Sequence, residues 1–445
     1  MSHARLSQSR LFQTRRARIG VAAAAAAALL TLTACSSGSG DDAPSDDASD
    51  APSGEITVLT NRTDLVDTTF QEYKKTFEDK YPDVTVKFEA LTDYEGEVKT
   101  RMSTKDYGDV LLIPNGVATS DLPDFFEPLG TVSDLKEKYR FVGSHVVDDT
   151  VYGVATFGNA NGYVYNRKVV DAAGVTEAPK SPQEFEAMLK AIKDKTDAVP
   201  LYTNYADGWP LTWPQGDMGA VSGDADALVK MSENDSPWAS GEEKADLDSL
   251  LYDVVEQGLV EDDPTTTNWE NSKNLLGTGK IGVMMLGTWA LPQMQQAATD
   301  AGESADDIGY WPTPFQAGGK FNSPVGGDWN IGININSEHK AAARAWLDWF
   351  VDDSGFYEVA GGLPTRKDLD APAGLADFES TGVQYVEMTP APKLSDIDNA
   401  SEIGIGLQDY YRKLVDAARG ASGEKKQDIF DANNTAWASA RATVG

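Results

Sequence analysis

The chain has one cysteine and three histidines in 445 residues. The single thiol, Cys35, excludes a disulfide within the chain. His3, His145 and His339 lie far apart, and no HExxH, cysteine pair or D-x-D-x-D-G loop occurs, so neither a metal nor another cofactor is expected. The chain also lacks G-x-x-x-x-G-K-[ST], a G-x-G-x-x-G after a strand, and a G-x-S-x-G elbow. Nucleotide binding therefore has no support, and a Ser-His-Asp triad has almost no histidine to draw on. Positive charge is scarce too: 38 Lys and Arg face 70 Asp and Glu, a net charge of −32. That balance argues against nucleic acid and anionic membrane surfaces as partners, and disfavours anionic ligands. Most of the acids read as a solvated surface, although a glycoside hydrolase needs only two carboxylates about 5 to 9.5 Å apart.

Long apolar runs are missing as well. Ile19–Leu30 has 12 residues, short of the about 20 that span a bilayer. Arg15, Arg16 and Arg18 precede it, and "LTAC", Leu32 to Cys35, follows it. This arrangement resembles a bacterial lipoprotein signal with its lipobox. Residues 1–34 are thus expected to be a leader, with "TRRAR" also compatible with twin-arginine export. Cys35 becomes the lipidated residue, and two acyl chains anchor stably where one does not. Loss of the five arginines of the leader takes the charge from −32 to −37. Residues 35–54 are Ser, Gly, Ala, Pro and acid with no large apolar side chain, a tether that cannot order itself. The expected location is the outer face of the cytoplasmic membrane, held by the lipid alone.

From Glu55 onward the pattern is α/β. "EITVLT" alternates as a strand, and Phe70, Tyr73, Phe77 and Tyr81 recur at helical spacing over 66–80. Val84, Val86 and Phe88 mark a second strand, Tyr94, Val98 and Met102 a second helix, and "GDVLLIPN" a third strand. This βαβαβ order predicts a mainly parallel sheet. "VYGVATFGNANGYVYNRK" reads as two strands parted by a Gly/Asn break. Ser181, Pro182 and Glu184 are an N-cap, N1 and N3 set for a helix to about residue 195. About 390 folded residues suit two lobes better than one core.

Aromatic and amide residues gather at the ends of strands. Arg62 follows the first strand and Asn115 the third, while Asn159 and Asn161 sit in the Gly/Asn break. Trp209 and Trp213 lie in "DGWPLTWP", Trp289 in "GTW", and Asp328 and Trp329 after the glycine pair of "VGGDWNIGIN". In open α/β sheets ligands bind beyond the carboxyl ends of strands. Indoles offer flat apolar faces to sugar C–H groups, and amides and carboxylates pair with hydroxyls. The glycine pair, Gly326 and Gly327, reads as a sharp turn or a close approach of backbone to ligand.

The succession "YVYNRKVVDAAGV…APKSPQEFEAMLKAI", "KNLLGTGKIGVMMLGTWALPQM", "IGYWPTPF" and "GGDWNIGIN…EHKAAARAWLDWFVDDSGF…GGLPTRKD" resembles the family-1 extracellular solute-binding proteins of ABC importers, relatives of maltose-binding protein. The similarity runs from about residue 55 to the end. It implies a two-lobe periplasmic-binding-protein type II fold with hinged lobes and an interlobe cleft. The lobes would comprise 55–156 with 326–390, and 157–325 with helices of 391–445. It further implies that Arg62, Asp64, Asn115, Asn159, Trp209, Trp289, Asp328 and Trp329 meet the ligand, Trp289 by stacking on a sugar ring. The expected protein is a monomeric receptor, not an enzyme, that hands a saccharide to permease subunits. Relatives that bind maltodextrins carry acids at some positions where this chain has Asn159 and its neighbours, which leaves the saccharide unnamed. A secreted glycoside hydrolase and a receptor of the same fold for a non-sugar solute stand as alternatives.

Overall fold

The computed structural model describes residues 51–444. The leader, Cys35 and most of the tether lie outside the described residues. The first lobe begins with strand β1 (Gly54–Thr60), helix α1 (Thr69–Lys80), β2 (Val84–Ala90), α2 (Tyr94–Met102) and β3 (Val110–Leu112). β1 pairs in parallel with both β2 and β3, as βαβαβ order requires. Phe70, Tyr73 and Phe77 form the buried face of α1. The helix starts three residues later than its apolar spacing suggests, because turns through Leu65 and Thr68 occupy the chain before it.

Strand β4 (Val154–Asn166) leads out of this lobe, and α3 (Pro182–Lys195) follows. The Ser181 hydroxyl accepts the Glu184 N–H at 3.2 Å, and the Glu184 carboxylate accepts the Lys180 N–H at 2.8 Å. The second lobe continues with β5 (Val199–Leu201), α4 (Glu243–Glu256), α5 (Trp269–Gly277), β6 (Ile281–Gly287), α6 (Ala290–Asp300) and β7 (Ile308–Trp311). Strand β8 (Lys320–Ile333) then returns to the first lobe, which adds α7 (Lys340–Asp352) and α8 (Phe356–Ala360). Strand β9 (Gln384–Glu387) and helices α9 (Gln408–Ala418) and α10 (Lys426–Val444) complete the described chain. The strand path is β2-β1-β3-β8-β4-β6-β5, with β7 beside β4 and β9 beside β8. No helix among the described residues is long and apolar enough to cross a membrane.

Two hydrophobic cores define the lobes. One gathers Ile56, Phe77, Val110, Ile331 and the fully buried Trp346 of α7. The other gathers Tyr163, Phe185, Leu247, Val283, Tyr310 and Trp437. β4 and β8 belong to both. Val154 and Phe157 lie in the first core and Tyr163 and Val164 in the second; Ile331 and Ile333 lie in the first and Phe321 and Val325 in the second. These two antiparallel strands are the bridge between lobes, in a register that sets Gly326 opposite Asn159, Gly327 opposite Gly158 and Asp328 opposite Phe157.

Three expectations change. The Gly/Asn stretch does not break the chain into two strands: β4 is continuous over 13 residues. Its glycines answer close approaches, since a Cβ on Gly158 would lie 2.3 Å from the Phe141 ring and one on Gly162 2.3 Å from the Trp311 carbonyl oxygen. Gly326 and Gly327 form no turn either, because β8 runs through them. Finally, the chain leaves the first lobe well before residue 390. Leu363 bridges to Gly158, and Leu363, Leu375, Phe378 and Val383 pack in the second core.

Candidate functional site

A cleft of 1060 Å3 opens between the lobes beside the bridging strands. The first lobe contributes Arg62, Asp64, Trp329 and Phe356, and the bridge contributes Thr156 and Asp328. The second lobe contributes Trp289 and polar side chains of α5 and α6, among them Glu270, Lys273, Gln293 and Gln296. The volume sits at the upper end of ligand pockets, roughly 300–1,000 Å3.

The turn after β1 sets Arg62 and Asp64 as one unit. Arg62 Nε donates to Asp64 Oδ1 at 2.8 Å and Nη2 to Oδ2 at 2.7 Å, a bidentate fork. The guanidinium also lies 5.9 Å from the centre of the Phe356 ring. Its hydrogen bond, ahead of the opposing effect of burial, holds the Asp64 carboxyl below the usual carboxylate range.

Asp328 is placed by strand geometry. Residues on the same face of adjacent strands meet diagonally, and Asn159 reaches past Gly326 to Asp328. Its Nδ2 donates to Asp328 Oδ2 at 2.6 Å, and the Trp329 N–H donates to Oδ1 at 2.7 Å. A Cβ on Gly326 would meet nothing within 4 Å, so the space above this pair is open. Gly327 differs, since a Cβ there would lie 2.5 Å from that of Ala155. Burial pushes the Asp328 carboxyl above its ordinary 3.8, against the pull of Asn159, the Trp329 N–H and Arg62. Asn159 Oδ1 is buried without a partner.

Trp289 follows β6, where Gly287 makes room for it: a Cβ there would come within 2.8 Å of the indole. Its ring centre lies 5.6 Å from that of Trp209 and 5.7 Å from that of Trp269. Trp289 is also part of a second, smaller compartment of 340 Å3, which Trp209, Trp213 and Asp217 line. Trp209 remains 39 % exposed there. Trp329 both lines the large cleft and packs edge-on against Tyr94 at 5.5 Å.

The structure therefore brings Arg62, Asp64, Trp289, Asp328 and Trp329 to one cleft, with Trp209 next door. Asn159 acts one step behind, by holding Asp328. Asn115 does not line the cleft; its N–H is tied to Glu95 at 2.9 Å, and Leu112 of β3 faces the cavity instead. Missing from the sequence reading were the α5 and α6 side chains. Gln293, Gln296 and Asp300 recur at three- and four-residue spacing, and that polar stripe on a helix was the available signal. Two cations line the large compartment, and acids hold both: Arg62 through Asp64, and Lys273 through Glu270 at 2.8 Å. No cysteine lies among the described residues, and none of their His, Asp and Glu form a cluster that could hold a metal ion.

Comparison with known proteins gives the family and the fold. The model of the family described as bacterial extracellular solute-binding protein matches residues 62–355. A binding protein of an ABC transporter from Bifidobacterium animalis subsp. lactis, solved with mannobiose, is 33 % identical, with a TM-score of 0.78, over 89 % of this chain and 96 % of its own. A manno-oligosaccharide specific solute binding protein of the same organism, solved with mannotriose, is 32 % identical over the same shares, also with a TM-score of 0.78. The multiple sugar-binding protein of Streptococcus mutans is 24 % identical over 329 residues, 71 % of this chain and 76 % of its own. With 294 of its 445 residues matched by the family model, well over half, this chain belongs to the bacterial extracellular solute-binding proteins.

Proposed function

We propose that the protein is the receptor of an ABC importer for a neutral oligosaccharide, and that manno-oligosaccharides are the first ligands to test. The observation that carries the reading is the pairing of an indole wall, Trp289, with hydroxyl-matching groups across the interlobe cleft, Asp328 and the Arg62–Asp64 fork. The relatives solved with mannobiose and mannotriose support the choice of sugar. A receptor returns its ligand unchanged, so Asp328 serves as a hydrogen-bond acceptor and not as a catalytic acid. Among non-sugar solutes, an anionic one meets four acids and no unpaired cation along the large compartment.

The lobes close on the ligand about the bridge formed by β4, β8 and the segment near Leu363, because a ligand touching both lobes favours the closed state by its differential affinity. We further propose that Cys35 is the lipidated residue and holds the protein at the outer face of the cytoplasmic membrane. A thermal-shift screen with mannobiose, mannotriose, raffinose and diacetylchitobiose tests the ligand class. A ligand at 100 times its dissociation constant adds about 2.7 kcal/mol of stability; no shift with any of the four defeats the saccharide reading. For the anchor, Cys35→Ala should stay uncut or escape to the medium, and a variant processed and membrane-bound like wild type defeats it.

A further inference from the structure

Trp209 is one of the indoles expected to meet the ligand, and it stands 39 % exposed. Its ring centre lies 5.0 Å from that of Trp269 and 5.6 Å from that of Trp289. Packing alone does not hold a side chain so open to solvent, so the backbone turn before it must be fixed for the indole to keep its place. That turn is 204–208. Asn204 and Gly208 both have left-handed backbones, with φ of 55° and 81°, and the Gly208 N–H donates to the Asn204 carbonyl at 2.9 Å.

The turn is fastened on two sides. Toward the start of α5, the Ala206 N–H donates to the Thr267 hydroxyl at 2.8 Å, and Asp207 Oδ2 accepts the Trp269 N–H at 2.7 Å. Toward α9, Arg412 Nε donates to the Tyr205 carbonyl at 3.0 Å and Nη2 to the Ala206 carbonyl at 2.6 Å. The Tyr205 hydroxyl donates to the Asp416 carboxylate, one turn further along α9, at 3.0 Å. A Cβ on Gly208 would lie 2.4 Å from Arg412 Nη2, so the guanidinium demands glycine there as much as φ does.

α9 has one seat. Tyr410 and Tyr411 are buried. The Tyr410 hydroxyl donates to Asp248 Oδ2 at 2.5 Å, and Lys244 Nζ donates to Asp248 Oδ1 at 2.7 Å and to the Tyr411 hydroxyl at 3.2 Å. The Tyr411 hydroxyl donates in turn to the Ile405 carbonyl at 2.7 Å. Breaking a buried ion pair is costly, so the helix that these tyrosines tie to it stays in register. The Arg412 fork, by contrast, serves geometry more than stability. Ala206 is exposed and Tyr205 half-buried, so water could satisfy either carbonyl. Only a rigid planar group holds both at once.

We infer that Arg412 is the positioning residue for Trp209: its guanidinium fixes the turn between α9 and α5, and through the turn the place of the indole. Arg412 lines neither compartment of the cleft, and it lies beyond residues 62–355, the stretch that the family model matches. The inference rests on the saccharide reading above for the ligand, and on the turn alone for the placement of Trp209.

Arg412→Met keeps the stem and removes the fork. Calorimetry with mannobiose, mannotriose, raffinose and diacetylchitobiose and near-ultraviolet circular dichroism without ligand read wild type, Arg412→Met, Trp209→Ala and the double variant. Arg412→Met should weaken the sugar that wild type binds best by about threefold or more. It should also lose part of the near-ultraviolet signal that Trp209→Ala removes, because that signal reports how neighbouring indoles are oriented. On the Trp209→Ala background Arg412→Met should change neither readout further, since residues that act as one unit are not additive. Should Arg412→Met melt early, Arg412→Lys, which keeps the charge without the planar fork, takes its place in the same comparison. Wild-type affinity and spectrum in Arg412→Met, or an undiminished further loss on the Trp209→Ala background, overturns the inference and leaves the receptor standing. Failure of wild type to bind any of the four sugars overturns the saccharide reading alone, because the spectra decide the place of Trp209 without ligand.

Discussion

Replacing Asp328 with asparagine separates ligand recognition from folding. In the wild type the two carboxylate oxygens take Asn159 Nδ2 at 2.6 Å and the Trp329 N–H at 2.7 Å. The new amide keeps the Trp329 bond through its oxygen. Its NH2 would face that of Asn159, but a flip of Asn159 turns its unpartnered Oδ1 toward the amide and restores the pair. Bonds to a charged group contribute about 1.5–3 kcal/mol and neutral ones about 0.5–1.5. Against that loss stands the cost of burying the charge, which wins in the wild type because the folded-state carboxyl titrates above its ordinary 3.8. The sign follows: a raised carboxyl stabilises the fold below the unfolded value and loses that contribution as pH rises toward the folded value. Asp328→Asn should therefore melt within about 1 kcal/mol of wild type at pH 7, and its melting point should fall less than that of wild type between pH 4 and pH 7. Affinity behaves differently. The charged acceptor for sugar hydroxyls is gone, at a cost of about 1.5–3 kcal/mol, or roughly ten- to a hundredfold. Calorimetry with mannotriose and melting curves at the two pH values measure both. Unchanged affinity, or a loss of several kcal/mol in stability, refutes the reasoning.

Trp289→Ala should weaken the same ligand by roughly 30-fold or more, since truncating a buried aromatic anchor costs about 2 kcal/mol or more; a variant that unfolds while Trp289→Phe binds normally makes the residue core instead. Gly327→Ala, whose Cβ would lie 2.5 Å from that of Ala155, should cost about 1–3 kcal/mol in denaturant unfolding, whereas Gly326→Ala, open on all sides, should stay close to wild type. Small-angle scattering should give a smaller radius of gyration at saturating mannotriose, and an unchanged radius counts against hinge closure.

What the sequence made legible was local. The Ser181–Glu184 cap lies within four residues, and the buried stripe Phe70, Tyr73, Phe77 within one helix, so short-range chemistry determined both. The bridging strands are hidden from a local reading for the opposite reason. Gly158, Gly162 and Gly327 resemble turn residues along the chain, but Phe141, Trp311 and Ala155 demand them across it. The same holds for the site. Arg62, Asp64, Trp289, Asp328 and Trp329 stand at strand ends, where position along the chain already points to a cleft. Asn115 also stands there, yet its segment turns toward Glu95. Asp217 is buried because Thr313, 96 residues further along the chain, supplies its Oδ2 with a hydrogen bond, and no short window contains both.

Calorimetric titration of mannobiose, mannotriose, raffinose and diacetylchitobiose into the protein, with chromatography of the recovered sugar, tests whether it is an oligosaccharide receptor. Saturable binding of one molecule of at least one of these oligosaccharides is expected, abolished or weakened tenfold or more in Trp289→Ala, with the sugar recovered intact. No heat from any of the four, or shorter sugars recovered from the wild type alone, would contradict it.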